Sequence, residues 1–559
     1  MSLLSVLNVG TRAIFASQLA MDVAGQNISN ADVEGYSRKR LNLQPDYRFD
    51  SAYGQIGMGV DVINIERLRN EFIDEQIRRQ NQQVGYYEEL DYTLESIENI
   101  FTEPSDTGVI HFVDQFFDSW QNLSNNPSDI SARTMVRTNA EILIDVFHNV
   151  SGELANLRQT RNEEIQQQVN KINEICKELH NLNLEIGTVE LNNQNANDSR
   201  DRRDLLLKDL SKIIDISVVE NETGQITITT SGNIIVSPVY YQELETTTAT
   251  TKLSDGTSIM EIGVRFADSK NIYKPQGGLI KGLFESRDKI IPEYQKQLDT
   301  LANSLVTKVN ELHSRGYNLK GFTGINFFDP NLTGSSKIQL SASILSDVNN
   351  IAAASGGESH PASQNLLSAG SHDFGSTPVQ LYRDPLALPL IEARNILTGT
   401  VIVSTGSATL VEGSDYHIDY VNGTIQMLHS GYDGDDLQID FNYRSGGFAG
   451  PGDNSTALAI ANLRSELTMN NDIHGNGTSS FAEYYSSMIG RLGLSRNEAD
   501  SNLRTRIFLV NQYETHQDAI AGVSLDEEMA DLIKFQHTFQ AAARLVSIAD
   551  EMLDTLLNM

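Results

Sequence analysis

Across residues 3–31 apolar or small side chains recur at alternating steps of four and three, at Leu3, Leu7, Gly10, Ile14, Ser17, Met21, Ala24 and Ile28. Heptad spacing of this kind predicts a helix with a single adhesive stripe. The last segment repeats it at Leu525, Met529, Leu532, Gln536, Phe539, Ala543, Val546, Asp550, Leu553 and Leu557, where only Gln536 and Asp550 are polar. An isolated amphipathic helix has nothing local to bury its stripe against, so each seam must meet the other, a neighbouring chain or a chaperone. Without an internal partner, ordering the backbone at about 1–2 kcal/mol per residue is not offset, and the termini of an isolated chain are expected to be loosely held.

Between the ends, residues 66–101 and 130–187 read as long polar helices rich in Gln and Asn. The second carries the stripe Ile165, Val169, Ile172, Cys176, Leu179, Leu182 and Ile186, and a lone thiol on such a stripe behaves as a small core hydrophobe. A third long helix is expected over 284–315, with Ile291, Leu298, Leu301, Leu305, Val309 and Leu312. From Ile213 to about Phe266 the period shortens to two, at Ile226 and Ile228, Ile234 and Val236, and Ile259, Ile262 and Val264, with Gly-Asn and Asp-Gly turns between. A second β segment occupies 375–447, with Val401 and Val403, then 416–419, then Asn422-Gly423 before 425–428, then 437–443. The pieces 355–357 and 445–452 read as linkers. This order predicts a multidomain α plus β chain. Terminal coiled-coil helices come from 1–40 and 520–559, and a long-helix bundle from 41–212, 278–320 and 480–519. β-rich outer parts come from 213–277, 321–374 and 448–479, and an inserted β domain from 375–447.

Composition narrows the function classes. Forty-two Lys and Arg against 74 Asp and Glu give the 559-residue chain a net charge of −32, which repels phosphate backbones and anionic lipid. Nucleic acid and membrane partners are therefore not expected. A single Cys makes no internal disulfide, and the 11 His show no ligand spacing for a structural metal. Asn8, Gly10, Thr11 and Arg12 interrupt any leader-like apolar run, so the chain is either cytoplasmic or exported without a cleaved signal. No phosphate-binding loop, zinc-helix motif or nucleophile elbow occurs, so no enzyme, catalytic residue or cofactor is expected. Asp433-Gly434-Asp435-Asp436 reads as an exposed turn, not a calcium loop. Asp526, Glu527 and Glu528 read as complements to a helix N-terminal dipole.

The run Asn27-Ile28-Ser29-Asn30-Ala31-Asp32-Val33-Glu34-Gly35-Tyr36-Ser37-Arg38 resembles the N-terminal signature of bacterial flagellar axial proteins, with Asn27, Asn30, Gly35 and Tyr36 as its motif residues. Several further stretches are similar to the FlgK-type hook-associated family. They are 103–108, 116–120, Asn126-Pro127, Asn197-Asp198, 201–206, Gly277-Gly278 with Gly282-Leu283, Arg287-Asp288 and 522–528. The resemblance implies a non-enzymatic, extracellular structural protein, exported through the flagellar type III export apparatus and polymerised by self-association in a ring between hook and filament. Its implied partners are the flagellar hook protein, the second hook-filament junction protein and a FlgN-type export chaperone. On that view the terminal stripes are subunit-assembly seams, and Leu532, Phe535, Phe539 and Val546 bind the chaperone. The insertion at 375–447 matches nothing in the resemblance; its Tyr416, Tyr420 and Tyr432 suggest, as the alternative function, an adhesin or carbohydrate-binding surface.

Overall fold

The computed structural model describes residues 3–45, 48–51, 54–101, 108–191, 194–252, 258–355, 359–366, 379–381, 396, 400–405, 409–412, 414–419, 424–428, 437–444, 450–470 and 477–557. Helix α1 (Leu3–Ser29) is followed by strands β1 (Lys39–Pro45), β2 (Arg48–Ser51), β3 (Gly54–Gly57) and β4 (Val60–Arg67). Helices α2 (Glu71–Phe101), α3 (Val109–Asn125), α4 (Ile130–Glu190) and α5 (Asn197–Ile213) come next. Then follow β5 (Ser217–Glu220), β6 (Ile226–Thr230), β7 (Asn233–Val236), β8 (Leu244–Lys252) and β9 (Ser258–Phe266). Helix α6 (Gly278–Glu285) passes through a π-turn at Ser286–Ile290 into α7 (Ile291–His313), and α8 (Ala342–Ser346) is one short turn. The insertion holds β10 (Ser359–Leu366), β11 (Val379–Gln380), β12 (Ile402–Ser404), β13 (Thr409–Leu410), β14 (Tyr416–Asp419), β15 (Thr424–Met427) and β16 (Leu437–Arg444). Helices α9 (Ser455–Asn462), α10 (Phe481–Ala521) and α11 (Leu525–Leu557) close the chain.

The spine is α4, whose 61 residues span about 90 Å at 1.5 Å per residue. The Asp129 carboxylate caps it by accepting the Ser131 and Ala132 N–H groups at 3.0 and 3.3 Å. Its first half packs Val136, Ala140, Leu143, Phe147 and Leu154 into a core shared with α2, α3, α7, α9 and α10. Its second half packs Ile165, Val169, Ile172, Cys176 and Leu179 against α5, α6 and β6–β9. Cys176 lies in that core, where burial pushes its thiol up to about 12.

Several boundaries differ from the expected ones. Phe327, Phe328, Ile338, Leu340, Ile351, Ile460 and Met469 line the helical core, so 321–354 and 455–470 belong with the bundle and not with the outer β parts. The expected helix 284–315 is two helices joined by the π-turn, and Arg287 in that turn is buried. A third core fills the insertion with Leu381, Val403, Tyr416, Ile418, Ile425, Leu437, Ile439 and Phe441. Because β10 pairs along its length with β16, the module begins before residue 375. The Asn422-Gly423 and Asp-Gly turns, Tyr420, Tyr432, 103–107, 433–436 and most of both linkers lie outside the described residues.

Candidate functional site: the terminal helix pair and its elbow

Helices α1 and α11 pack antiparallel within the chain, with Gly10 against Val546 at one end and Asn27 against Glu528 at the other. The two terminal seams thus find each other. On α1 the buried positions are Gly10, Ala16, Ser17, Ala20, Val23, Ala24 and Asn27. Leu7, Ile14, Met21 and Ile28 flank that line and are only partly buried. On α11 the inward positions step by four and three as Glu528, Leu532, Phe535, Phe539, Ala542, Val546, Ala549 and Leu553. Leu532, Phe539, Val546 and Leu553 stand where the spacing put them, but Leu525 and Met529 are each 49 % exposed, so they are corrected to the outer face. The side chains of Leu3 and Leu557 lie outside the described set.

Close approach explains the choice of small residues. A Cβ on Gly10 would stand 2.6 Å from Val546 Cγ2, inside any normal contact. Small side chains at the interface let the two backbones come together, and the bulkier Leu and Ile cover the edges.

At the far end the chain turns through residues 30–38, and the four motif residues each do mechanical work there. Asn27 is 1 % exposed; its Nδ2 donates to the Lys39 carbonyl at 2.9 Å and to Glu528 at 3.0 Å, while its Oδ1 accepts the Lys39 N–H at 3.0 Å. Tyr36 donates its hydroxyl to the same Oδ1 at 2.9 Å. Asn30 donates to the Gln26 carbonyl at 2.9 Å, satisfying the last turn of α1. Gly35 has φ +82°, a conformation that costs an L-residue strain, and its Cα faces Leu205 of α5.

The elbow is tied to three other stretches. Arg38 bonds Glu528 at 2.6 Å and Glu527 at 2.8 Å, and its backbone N–H donates to the Ala521 carbonyl at the end of α10. Ser37 bonds Asp201 through both its N–H and its hydroxyl, at 3.0 and 2.7 Å. Lys39 pairs with Asp198, and Arg67 with Asp201 and Asp204 at 3.0 and 2.6 Å. Burial alone would lower the Arg38 guanidinium, but Glu528 and Glu527 outweigh it and hold its pKa above the ordinary value. Burial would likewise raise Asp204, yet Arg67, Arg69 and Arg203 keep it below the carboxylate range. Burial, with Asp198, Asp201 and Glu528 nearby, pushes the Tyr36 phenol up to about 12.

Glu528 was expected only to complement a helix dipole. It is 3 % exposed and is the acid that closes the elbow, a role that the corrected seam would have shown, since it stands four residues before Leu532. Tyr416, one of the three tyrosines of the adhesin reading, is 3 % exposed inside the insertion core and presents no ring to solvent. Among the described residues no cluster of three or more His, Cys, Asp or Glu is arranged to hold a metal, and no helix is long and apolar enough to cross a membrane. A polar cleft of about 780 Å³ runs beside the elbow between residues 31–38, α2, α5 and the end of α10.

Stretches 27–38, 197–204 and 522–528, far apart in the chain, therefore meet at one joint between a terminal helix pair and a long-helix body. Residues 94–328 match the family described as "Flagellar hook-associated protein FlgK helical domain", and 518–559 match "Flagellar basal body rod FlgEFG protein C-terminal". Two relatives named Flagellar hook-associated protein 1, from Bacillus subtilis (strain 168) and Salmonella typhimurium, are 26% and 25% identical. Each alignment covers 99% of this chain, with 97% and 99% of the respective relative. The fold is similar to the structure of the flagellar hook junction protein FlgK from Burkholderia pseudomallei, with a TM-score of 0.57 at 18% identity, covering 80% of this chain and 100% of that one. The matched family and relatives make the chain a structural component of the bacterial flagellum. Within that class it is similar to the FlgK-type flagellar hook-associated proteins over 99% of its length.

Proposed function

We propose that the chain is a junction adaptor that polymerises as a ring at the distal end of the hook and connects hook to filament. The observation that carries this reading is the outer face of the terminal helix pair. Its inner seam is satisfied within the chain, yet Phe15, Leu525, Met529, Ile533, Ile548 and Met552 are 49–63 % exposed on the outside. Apolar groups in that number on one thin helix pair favour packing between subunits. The subunit-assembly surface is thus the outer face, with the inner seam shaping the building block. Its neighbours are further copies, the hook protein and the second hook-filament junction protein. The chain reaches this extracellular place through the flagellar type III export apparatus. A FlgN-type export chaperone binds Leu532, Phe535, Phe539 and Val546; since these side chains face α1, chaperone binding displaces α1 from α11, and release lets the pair close. Electron microscopy of a strain deleted for this chain tests the reading. Hooks lacking filaments are expected, and filaments attached as in the parent strain would overturn it.

A further inference from the structure

Among the described residues, five asparagines hold extended backbone against a helix by both ends of the carboxamide. Asn27 does so to Lys39, as described above. On α4, Asn183 accepts the Ile226 N–H and donates to the Ile226 carbonyl, each at 2.7 Å. Asn173 accepts the Leu244 N–H and donates to the Leu244 carbonyl, each at 2.8 Å. Asn162 accepts the Ile262 N–H at 2.8 Å and donates to the Met260 carbonyl at 3.1 Å. On α7, Asn310 accepts the Phe327 and Phe328 N–H groups at 2.9 Å and donates to the Phe328 carbonyl at 3.0 Å. A carboxamide carries a donor beside an acceptor, so it pairs with a strand much as the next strand would.

We propose that Asn162, Asn173 and Asn183 are register-determining residues that fix where β9, β8 and β6 sit along α4, and so aim the outer β part from the helical stalk. Residues 162 and 173 are 11 apart and 173 and 183 are 10 apart, about three helical turns each, which forms a ladder along the strand-facing side. Apolar packing alone tolerates a slip, whereas a two-point amide contact fits one backbone position. The need is greatest for β8 and β9, which form a two-stranded sheet. The Asn162 rung is reinforced, because Arg287 from the π-turn bonds both Asn162 Oδ1 at 3.0 Å and the Ile262 carbonyl at 2.6 Å, and Arg158 pairs with Glu261.

Chemistry supplies a test that separates register from bulk. In Asn173→Asp the carboxylate at pH 7 offers acceptors only and faces the Leu244 carbonyl. Protonated, it again carries a donor beside an acceptor, and the Leu244 carbonyl oxygen that faces it, which repels the carboxylate, raises the pH at which it protonates. Full-length chains carrying Asn173→Asp or the size-matched Asn173→Leu are compared with the parent by melting temperature from pH 7 to pH 5. The Asp variant is expected to melt several degrees below the parent at pH 7 and to approach it at pH 5, while the Leu deficit stays constant. Residue-resolved hydrogen exchange on Asn162→Leu/Asn173→Leu gives the second readout. Exchange in β8 and β9 is expected to accelerate at least ten-fold with residues 130–154 unchanged. A pH-independent deficit in the Asp variant, parental protection of β8 and β9 in the double variant, or equal loss of protection over 130–154 would each overturn the proposal.

Discussion

At the scale of single residues, the side chains that matter most are polar groups placed where water cannot reach. His313 is fully buried beside Trp120 and Phe327; its Nδ1–H donates to the Ile325 carbonyl at 2.7 Å, and its Nε2 accepts the Ala352 N–H at 2.8 Å. Burial therefore lowers its pKa from 6.5 to about 4, and the buried Arg133 adds to the effect. The unfolded chain takes up a proton on this imidazole at higher pH than the folded one does. Stability from the neutral form is thus full above pH 6.5, is lost as pH falls to about 4, and totals roughly 3 kcal/mol. Denaturant unfolding of the parent and of His313→Gln at pH 7 and pH 4.5 checks this. The parent is expected to lose more than the variant over that interval, and parallel losses would contradict the assignment. Cys176 gives a second prediction: with its thiol pushed up to about 12, it should resist iodoacetamide at pH 8 until the chain unfolds. At this scale the sequence was legible in kind and blind to pairing. Cys176 was legible from its place on a stripe, and Asn27, Asn30, Gly35 and Tyr36 through the resemblance carried by 27–38, but the acid that Asn27 meets is 501 positions away, and no local pattern reports a contact of that separation.

At the scale of elements, both terminal helices were readable, and in both the stripe was drawn one residue off along half its positions. Stepping by four and three from the large apolar groups Leu3 and Leu525 selects Ile14, Met21 and Ile28, or Met529, Gln536, Ala543 and Asp550. The packed faces use Ala20, Val23 and Asn27, or Glu528, Ala542 and Ala549. Hydrophobicity ranks residues by transfer free energy, whereas an antiparallel pair in close contact selects for small size, and the two criteria disagree at these positions. The distinction has a measurable consequence. Phe539→Asp places a charge in the α1 interface and forfeits a ring contact worth up to about 1.5–3 kcal/mol, so it should weaken pairing of the termini and chaperone binding together. The control Lys534→Asp, on an exposed position, should change neither. Met529→Ser should leave the melting temperature of the isolated chain within a degree or two of the parent while lowering filament attachment, because its side chain is half exposed in the single chain. Equal damage to stability from Met529→Ser and Phe539→Asp would show that the two faces of α11 are not distinct.

At the scale of the whole molecule, α4 carries two cores end to end, and the insertion holds a third that, among the described residues, shares no buried residue with them. The helical order and the presence of two β regions were legible because periods of 3.6 and 2 differ over any window of ten residues. The assignment of 321–354 and 455–470 to the bundle was not, since these are irregular segments whose place is set by Phe327, Phe328, Ile351 and Ile460 reaching the core one by one. The insertion leaves and returns at a single point. The Ser355 hydroxyl and the Asp453 carboxylate are 3.2 Å apart, and the Thr456 N–H donates to the Ala353 carbonyl at 3.0 Å. Burial would raise Asp453, but its bonds from Ser455 and Ser355 hold it below the ordinary carboxylate value, which keeps this clasp ionised near neutral pH. Removing 357–450 and joining Gly356 to Pro451 should therefore leave the bundle cores intact, whereas cutting at 375 would strip β10 of its partner β16 and expose an edge. The shorter chain is expected to unfold cooperatively within a few degrees of the parent and to restore motility to a deletion strain. If it folds and is exported but leaves hooks bare, the insertion is part of the joint itself, and the division of labour drawn here between helical body and inserted module is wrong.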